Sequence, residues 1–151
     1  MKLLFVCTAN IVRSFMAERI LKGKLEKIKR KDVEVSSAGI MDMGNMPADP
    51  IALGILENQG FDGSNHRARL LSVDMVSCAD MIIVMEALHK QIIIEKYPLE
   101  ERKIYLLKSF SPGYNEAFGG DIRDPYKLSL YHYRLCFSEI FLSMDGLLAC
   151  I

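Results

Sequence analysis

The chain has 151 residues, of which 50% are apolar and 25% charged, the composition of an ordinary globular protein. That composition excludes disordered, collagen-like and disulfide-rich mini-protein classes. The length predicts one domain, residues 1–151. The 19 basic and 19 acidic residues give a formal net charge of zero. Nucleic-acid-binding proteins usually carry a basic excess, so we expect no nucleic-acid partner.

Neither a membrane segment nor an export signal is indicated. The longest apolar runs, among them residues 81–85, have five residues, whereas a spanning helix needs about 20. The apolar stretch at the N-terminus is shorter than the roughly 7–15 residues of a signal-peptide core. Four cysteines, Cys7, Cys78, Cys136 and Cys150, show no metal-binding spacing. We therefore expect a cytoplasmic protein with free thiols and no bound metal.

Strand and helix patterns alternate along the chain. In chain order they predict a strand at 2–8, a helix at 14–29, a strand at 33–38, a helix at 50–59, a strand at 80–85, a helix at 87–96, a strand at 103–108, a long glycine-containing loop at 109–124 and a helix at 129–149. This order predicts an α/β single-domain three-layer sandwich, a central four-stranded parallel sheet with helices on both faces. Ligands of such sheets bind at the carboxyl ends of the strands, and the first of these ends lies at Cys7.

The first strand-to-helix turn, residues 7–14, reads C-T-A-N-I-V-R-S. Five residues between Cys7 and Arg13 are enough to curl into a ring of inward amides that, with a helix N-terminus behind it, holds a tetrahedral oxyanion. Arg13 would clamp two of the oxygens. The same groups would stabilise a Cys7 thiolate beneath the anion, a nucleophile aimed at phosphorus. A buried structural cysteine beside a solvated arginine would give the same spacing, so the motif alone leaves both interpretations open.

The turn resembles the phosphate-binding loop of the low-molecular-weight protein tyrosine phosphatases, usually written C-x-G-N-x-C-R-S. Further segments are similar to that family in the same order: S-S-A-G at 36–39, P-A-D-P at 47–50, H-R-A-R-L-L at 66–71, A-D-M-I-I-V-M at 79–85 and D-I-R-D-P-Y at 121–126. The matches cover nearly the whole chain. The resemblance implies a phosphate-binding loop after strand 1 and a metal-free, cofactor-free phosphatase.

The resemblance also implies the catalytic roles. Cys7 would take the phosphoryl group, and Arg13 would bind its oxygens and stabilise the transition state. Asp124 would protonate the leaving oxygen and later take a proton from the hydrolytic water. Pro125 would hold Asp124 in an extended conformation, because residues before proline avoid the helical region. Asp121 is a nearby carboxylate without a following proline.

A supporting set of residues follows from the same resemblance. The phosphate-binding loop would contain Thr8, Ala9, Asn10, Ile11, Val12 and Ser14. Asn10 suits a left-handed backbone position. Ser14 would donate a hydrogen bond to the Cys7 thiolate, and Ser37 and His66 would complete the network. No role is predicted for His89 or His132.

Four positions depart from the family pattern. Ala9 stands in place of a usual glycine, so its methyl group either crowds the ring or is accommodated. Val12 replaces a usual second cysteine, which leaves Cys7 more open to irreversible oxidation. Phe15 replaces a common proline and loses some of its pre-organisation of the helix start. Lys127 follows the acid loop and would favour acidic peptides. These departures bear on rate and specificity.

The expected substrate is phosphotyrosine in a protein or peptide, with inorganic phosphate as the product and a cognate tyrosine kinase as a partner. Ile11 and Met43 would form apolar pocket walls, and Tyr126 would stack on the substrate ring. A branch of the family hydrolyses phosphoarginine, and its members have a threonine at the position of Ile11. The short length and the segment H-K-Q-I-I at 89–93 are similar to that branch, so a protein-arginine phosphatase remains the alternative.

Other functions on a similar fold fit less well. Arsenate reductases need two further cysteines close together, but Cys78 has no cysteine neighbour and Cys136 and Cys150 are 14 residues apart. A phosphocysteine phosphoryl carrier has no use for an acid such as Asp124 that activates water. A phosphopeptide-binding module would need neither Cys7 nor Asp124.

Overall fold

Four parallel strands form the centre of the computed structural model, which describes residues 1–151. They are β1 (Lys2–Cys7), β2 (Glu34–Gly39), β3 (Met81–Val84) and β4 (Ile104–Leu106), in the spatial order β2-β1-β3-β4. The register pairs Cys7 with Gly39 at the end of β1 and β2, and Val6 with Val84 of β3. Cys7 therefore lies at the carboxyl end of a central strand.

Five α-helices surround the sheet: α1 (Arg13–Lys27), α2 (Pro50–Asn58), α3 (Val73–Cys78), α4 (Ala87–Lys96) and α5 (Leu130–Leu148). The start of α2 shows why these residues are helical. The Asp49 side chain accepts hydrogen bonds from the amides of Ile51 and Ala52, and Pro50 occupies the first turn. No helix of the structure has both the length and the apolar character that a membrane crossing requires.

The sheet is buried on both faces, so side chains of β1 alternate between two cores. Leu3 and Phe5 belong to the larger apolar cluster, together with residues of α1, α2 and α5. Leu4 and Val6 belong to the smaller one, together with residues of α3 and α4. Apolar runs that are continuous rather than alternating are typical of such doubly covered strands. The predicted fold class, a three-layer α/β sandwich with four parallel strands, is confirmed.

The predicted elements are all present, but the end of β4 and several short turns and helices differ from the prediction. The fourth strand ends at Leu106 rather than at residue 108, because its only partner, β3, ends opposite it at Val84. The chain continues as a 3₁₀ turn at Leu107–Phe110, and a second turn at Glu116–Phe118 lies within the predicted loop. Helix α3 was not predicted, since six residues are too few to show a helical period. A further 3₁₀ turn, Pro98–Lys103, precedes β4.

Two glycines in helices provide a matched test of packing. A Cβ at Gly146 of α5 would clash with the carbonyl oxygen of Phe110, whereas a Cβ at Gly54 of α2 would meet no atom within 4 Å. We expect Gly146→Ala to lower the free energy of unfolding by about 1–3 kcal/mol. Gly54→Ala should raise it by about 0.5–1 kcal/mol, because alanine loses less backbone entropy. Urea unfolding measures both, and equal effects of the two substitutions would contradict the packing of α5.

Candidate active site

The turn between β1 and α1 wraps its backbone around the Cys7 sulfur. Cys7 is only 3% exposed. Its Sγ accepts a hydrogen bond from the Asn10 amide at 3.3 Å and lies 3.0 Å from Ser14 Oγ. Asn10 makes the tight curl possible by adopting φ 59°, the left-handed conformation that asparagine tolerates well. The Asn10 amide and the Ser14 hydroxyl thus converge on the sulfur.

The end of β2 approaches this loop very closely. A Cβ at Gly39 would lie 2.9 Å from the carbonyl carbon of Ala9, so only glycine fits there. The chain after Gly39 then binds the outside of the loop, because the amides of Ile40 and Met41 donate to the carbonyls of Cys7 and Thr8 at 3.0 and 2.8 Å. The sheet edge therefore holds the loop in place.

The Asn10 side chain fixes the direction of a buried hydrogen-bond chain. Its Nδ2 donates to Ser14 Oγ and to Ser37 Oγ, both at 2.8 Å, and its Oδ1 accepts from the Arg69 amide at 3.0 Å. Ser14 Oγ is therefore an acceptor from Asn10, and its own hydrogen is available for the Cys7 sulfur. The nearer acceptor is indeed that sulfur, since the Ala38 carbonyl is 3.4 Å away. The structure thus brings together Asn10, Ser14 and Ser37, three of the residues predicted to support the loop.

Glu18 of α1 is a member of this chain that sequence reasoning missed. It is buried, and Ser37 Oγ donates to its Oε2 while Lys22 Nζ donates to its Oε1 at 2.5 Å. Burial alone would raise the pKa of Glu18, but the hydrogen bonds from Lys22 and Ser37 outweigh it and lower the pKa. Because the Glu18 carboxylate can only accept, the Ser37 hydroxyl donates to Glu18 and accepts from Asn10. The only sequence signal for this contact was an acidic residue one helical turn after Ser14.

His66 holds the loop from the other side. Its Nε2 lies 2.6 Å from the Asn10 carbonyl oxygen, and because a carbonyl only accepts, Nε2 carries the hydrogen. The ring packs against Phe15, with 4.4 Å between ring centroids. Burial lowers the pKa of His66, although the bond to Asn10 acts in the opposite direction. His66 is therefore a neutral hydrogen-bond donor to the loop.

Arg13 is the most buried charge of the site, with 1% of its surface exposed. Its Nη1 donates to the Ile122 carbonyl at 2.9 Å and to the Glu86 carboxylate, and its Nη2 donates to Asp124 Oδ2 at 3.1 Å. Burial acts to lower the pKa of Arg13, but the charges of Cys7, Asp124 and Glu86 outweigh it and raise the pKa. A permanently charged, fixed guanidinium therefore faces the pocket.

Asp124 comes to the site on the loop that precedes α5. The amide of Ile122 donates to the Met85 carbonyl at 2.8 Å, which ties that loop to the end of β3. The Asp124 side chain is 41% exposed, and its Oδ1 accepts from the Tyr126 amide at 3.1 Å. Asp121 has a different task, because its Oδ1 accepts from the Ala87 amide at 2.7 Å at the start of α4. The geometry thus distinguishes the two carboxylates.

Cys7 and Arg13 line a cavity of about 240 Å³ with mostly apolar walls. Its lining residues are Cys7, Thr8, Ala9, Ile11, Val12, Arg13, Met41, Met43, Asp124 and Tyr126. The structure therefore brings the predicted pocket residues Ile11, Met43 and Tyr126 together with the three predicted catalytic residues. Met41 was not predicted.

Residues after β3 were also missed. Glu86 pairs with Arg13, and His89 Nε2 lies 3.0 Å from Thr8 Oγ1. The sequence signal for Glu86 was its position directly after a buried strand, since the ends of parallel strands share one edge of the sheet.

The structure contains no group of three or more His, Cys, Asp or Glu side chains that could hold a metal ion.

The four departures from the family pattern are accommodated locally. Ala9 is absent from the residues with positive φ, so its methyl group imposes no left-handed strain. Val12 is buried and lines the pocket. Phe15 fills the core against His66. Lys127 adopts φ 61° and places its Nζ 5.6 Å from the centroid of the Tyr126 ring, at the pocket mouth.

Comparison with known proteins gives a consistent picture. The model of the low molecular weight phosphotyrosine protein phosphatase family matches residues 2–151. The probable low molecular weight protein-tyrosine-phosphatase EpsP of Ralstonia nicotianae is 39% identical over 85% of this chain and 80% of its own. The protein-arginine-phosphatase of Geobacillus stearothermophilus is 32% identical over 97% and 93%. The crystal structure of a low molecular weight protein tyrosine phosphatase from T. tengcongensis superposes with a TM-score of 0.90 at 35% identity, covering 100% of this chain and 99% of that one.

The lowered pKa of His66 predicts a pH dependence of stability. Just below pH 6.5, the ordinary histidine pKa, the unfolded chain binds a proton that the folded protein does not. The free energy of unfolding should therefore fall as the pH falls through this range. Between about pH 7.5 and pH 5.5, His66→Gln should reduce that slope and leave the part due to His89, whose pKa burial also lowers, whereas His132→Gln should keep the full slope. Urea unfolding at both pH values measures the slopes, and an unchanged slope in His66→Gln would reject the assignment.

Proposed function

The chain belongs to the low molecular weight phosphotyrosine protein phosphatase family, and from that premise we propose that it hydrolyses protein phosphotyrosine through a phosphocysteine intermediate on Cys7. Membership makes it a hydrolase of phosphate groups on proteins. The observation that carries the proposal is the buried Cys7 sulfur, which receives hydrogen bonds from the loop and shares one pocket with Arg13 and Asp124.

In the first step the Cys7 thiolate attacks phosphorus, the P–S bond forms and the bond to the leaving oxygen breaks. Arg13 and the loop amides bind the phosphoryl oxygens, where negative charge develops. The substrate phosphate competes with Asp124 for Arg13 Nη2, so the carboxyl group leaves its ion pair and is free to carry a proton. Asp124 transfers that proton to the leaving oxygen. This matters because a phenolate, whose conjugate acid has a pKa of about 10, leaves poorly when unprotonated.

In the second step a water molecule attacks phosphorus. Asp124, now a carboxylate, takes the proton of that water. The P–S bond breaks, the thiolate is restored and inorganic phosphate is released. Ser14 assists the departure of sulfur, because its Oγ lies 3.0 Å from Cys7 Sγ and the hydrogen bond from Asn10 leaves the hydroxyl hydrogen free to point at that sulfur. The loop amides and Arg13 supply the positive field for both steps, without a cofactor.

Phosphotyrosine is the favoured substrate because of the pocket walls. Ile11, Met41, Met43 and Tyr126 present apolar or aromatic surface above the Cys7 sulfur. A flat aromatic ring gains from burial against such walls and stacks on a tyrosine. Such walls offer a charged guanidinium little to compensate for the loss of its water.

Protein phosphoarginine is the second candidate. Its support is the 32% identity, over nearly the full length, to the protein-arginine-phosphatase of Geobacillus stearothermophilus. Asp124 also offers the exposed carboxylate that a guanidinium would need. Arsenate reduction has less support, because Cys136 is buried and burial raises its pKa, which makes it a poor relay thiol.

We propose a cytoplasmic location and a cognate protein kinase as the opposing enzyme. The nucleophile must be reduced to act, and all four cysteines are free thiols in the structure. Free thiols persist in reducing compartments.

The acid role of Asp124 makes the rate depend on the leaving group. Asp124→Asn should slow the hydrolysis of phenyl phosphate by about 100-fold or more, the range of general acid catalysis. It should slow p-nitrophenyl phosphate much less, because that leaving group departs without a proton. Single-turnover phosphocysteine formation measures both rates. Asp121→Asn is the matched control, and equal slowing of both substrates would reject Asp124 as the acid.

Phosphate release from matched phosphotyrosine and phosphoarginine peptides tests the substrate. The assay contains reductant and a metal chelator, and Cys7→Ser serves as the blank. We expect a preference for the phosphotyrosine peptide, and Ile11→Thr should shift the preference toward phosphoarginine. Preference of the wild-type protein for phosphoarginine would overturn the substrate assignment and leave the chemistry intact. Turnover by Cys7→Ser near the wild-type rate would reject the nucleophile.

A further inference from the structure

The Thr8 hydroxyl lies within hydrogen-bond distance of two side-chain nitrogens at the edge of the phosphate-binding loop. Its Oγ1 accepts from Arg13 Nη2 at 3.3 Å and lies 3.0 Å from His89 Nε2. His89, on α4, is 2% exposed, and its other ring nitrogen, Nδ1, is buried without a hydrogen-bond partner. The mechanism above gives His89 no role. A buried imidazole with one unpaired nitrogen calls for an explanation.

The environment of His89 decides which nitrogen carries hydrogen. Burial, followed by the charge of Arg13, lowers the pKa of His89, although Glu86, Asp121 and Asp124 act in the opposite direction. The ring is therefore neutral and has a single N–H. If Nδ1 carried the hydrogen, Nδ1 would be a buried donor without an acceptor. If Nε2 carries it, only the lone pair of Nδ1 lacks a partner. Buried orphan donors are rarer than under-satisfied acceptors, so the hydrogen belongs on Nε2.

We propose that His89 is a positioning residue that turns the Thr8 hydroxyl hydrogen into the pocket, toward a phosphoryl oxygen of the substrate. A hydroxyl has two lone pairs and one hydrogen. Because Arg13 and His89 donate to the two lone pairs, the hydrogen is left for a third partner. Thr8 lines the pocket beside Cys7, so that partner is the bound phosphate. This role rests on the proposed phosphatase function.

The opposite tautomer would give the opposite result. If Nδ1 carried the hydrogen, Nε2 would accept the Thr8 hydrogen and leave none for the phosphate. The tautomer of His89 therefore decides whether Thr8 is a phosphate donor. The mechanism needs no proton transfer by His89, only a fixed hydrogen bond from Nε2.

Three variants separate this role from simple packing. Thr8→Val removes the hydroxyl and keeps the side-chain shape. His89→Met fills the histidine site without a donor, whereas the amide Nε2 of His89→Gln is placed to donate in the same direction. We expect Thr8→Val and His89→Met each to weaken the binding of inorganic phosphate and to lower kcat/KM for p-nitrophenyl phosphate by about tenfold, the loss of one hydrogen bond to an anion. His89→Gln should keep most of both quantities.

The double variant gives the sharpest comparison. If His89 acts through Thr8, His89→Met should cost nothing further in a Thr8→Val background. Gln91→Met, an exposed change on the same helix, is the control and should match the wild-type protein. Losses that multiply in the double variant, or a His89→Gln variant as impaired as His89→Met, would overturn the proposal.

Nuclear magnetic resonance tests the tautomer directly. A long-range ¹H–¹⁵N spectrum of the reduced wild-type protein should show a protonated Nε2 and an unprotonated Nδ1 for His89. The reverse pattern would overturn the proposal whatever the enzyme assays show. Wild-type protein that hydrolyses neither phosphopeptide, yet shows this tautomer and the expected phosphate affinities of the variants, would reject the proposed function and support the role of His89.

Discussion

A backbone loop that turns its amides inward must turn its carbonyls outward, and each of those carbonyls needs a partner. The loop after β1 meets this requirement with partners from three other parts of the chain. Cys7 and Thr8 carbonyls accept from the chain after β2, the Asn10 carbonyl from His66, and the Ile11 carbonyl from the Asp49 amide at the start of α2. Loops of this shape are strained unless their surroundings fix them. The surrounding fold therefore holds this turn in its curled conformation.

Charge balance imposes the second constraint on the site. Arg13 is almost fully buried, and a buried charge is tolerated only when it is paired and hydrogen-bonded. Glu86 pairs with it from the end of β3, and Asp124 pairs with it from the loop before α5. Glu86 is the more buried of the two carboxylates. In the proposed mechanism Glu86 remains the fixed partner of Arg13, whereas the exposed Asp124 exchanges places with a substrate phosphate and is freed to act as the acid.

The sheet, four of the helices and the place of the candidate site in the fold were predictable because each rests on a local signal. Apolar runs bounded by turns indicate buried strands, and the spacing of Cys7 and Arg13 after the first strand predicts an anion-binding turn. Helix α3 left no such signal, since it is shorter than two helical turns. The local signals for Glu86 and Glu18 do not identify their partners, because those partners lie 73 and 19 positions away in the chain.

The direction of hydrogen bonds adds a property that residue identity alone does not supply. Ser14 and Thr8 both carry hydroxyl groups that donate or accept equally well. At Ser14 the choice is made by Asn10, whose orientation depends on Ser37 and the Glu18 carboxylate beyond it. The buried Glu18 carboxylate thus sets the direction of each hydrogen bond in turn, until the last hydrogen points at the Cys7 sulfur. Because each of these hydrogen bonds has a single satisfiable direction, the loop is ordered before any substrate binds, and the proposed mechanism needs little reorganisation of it.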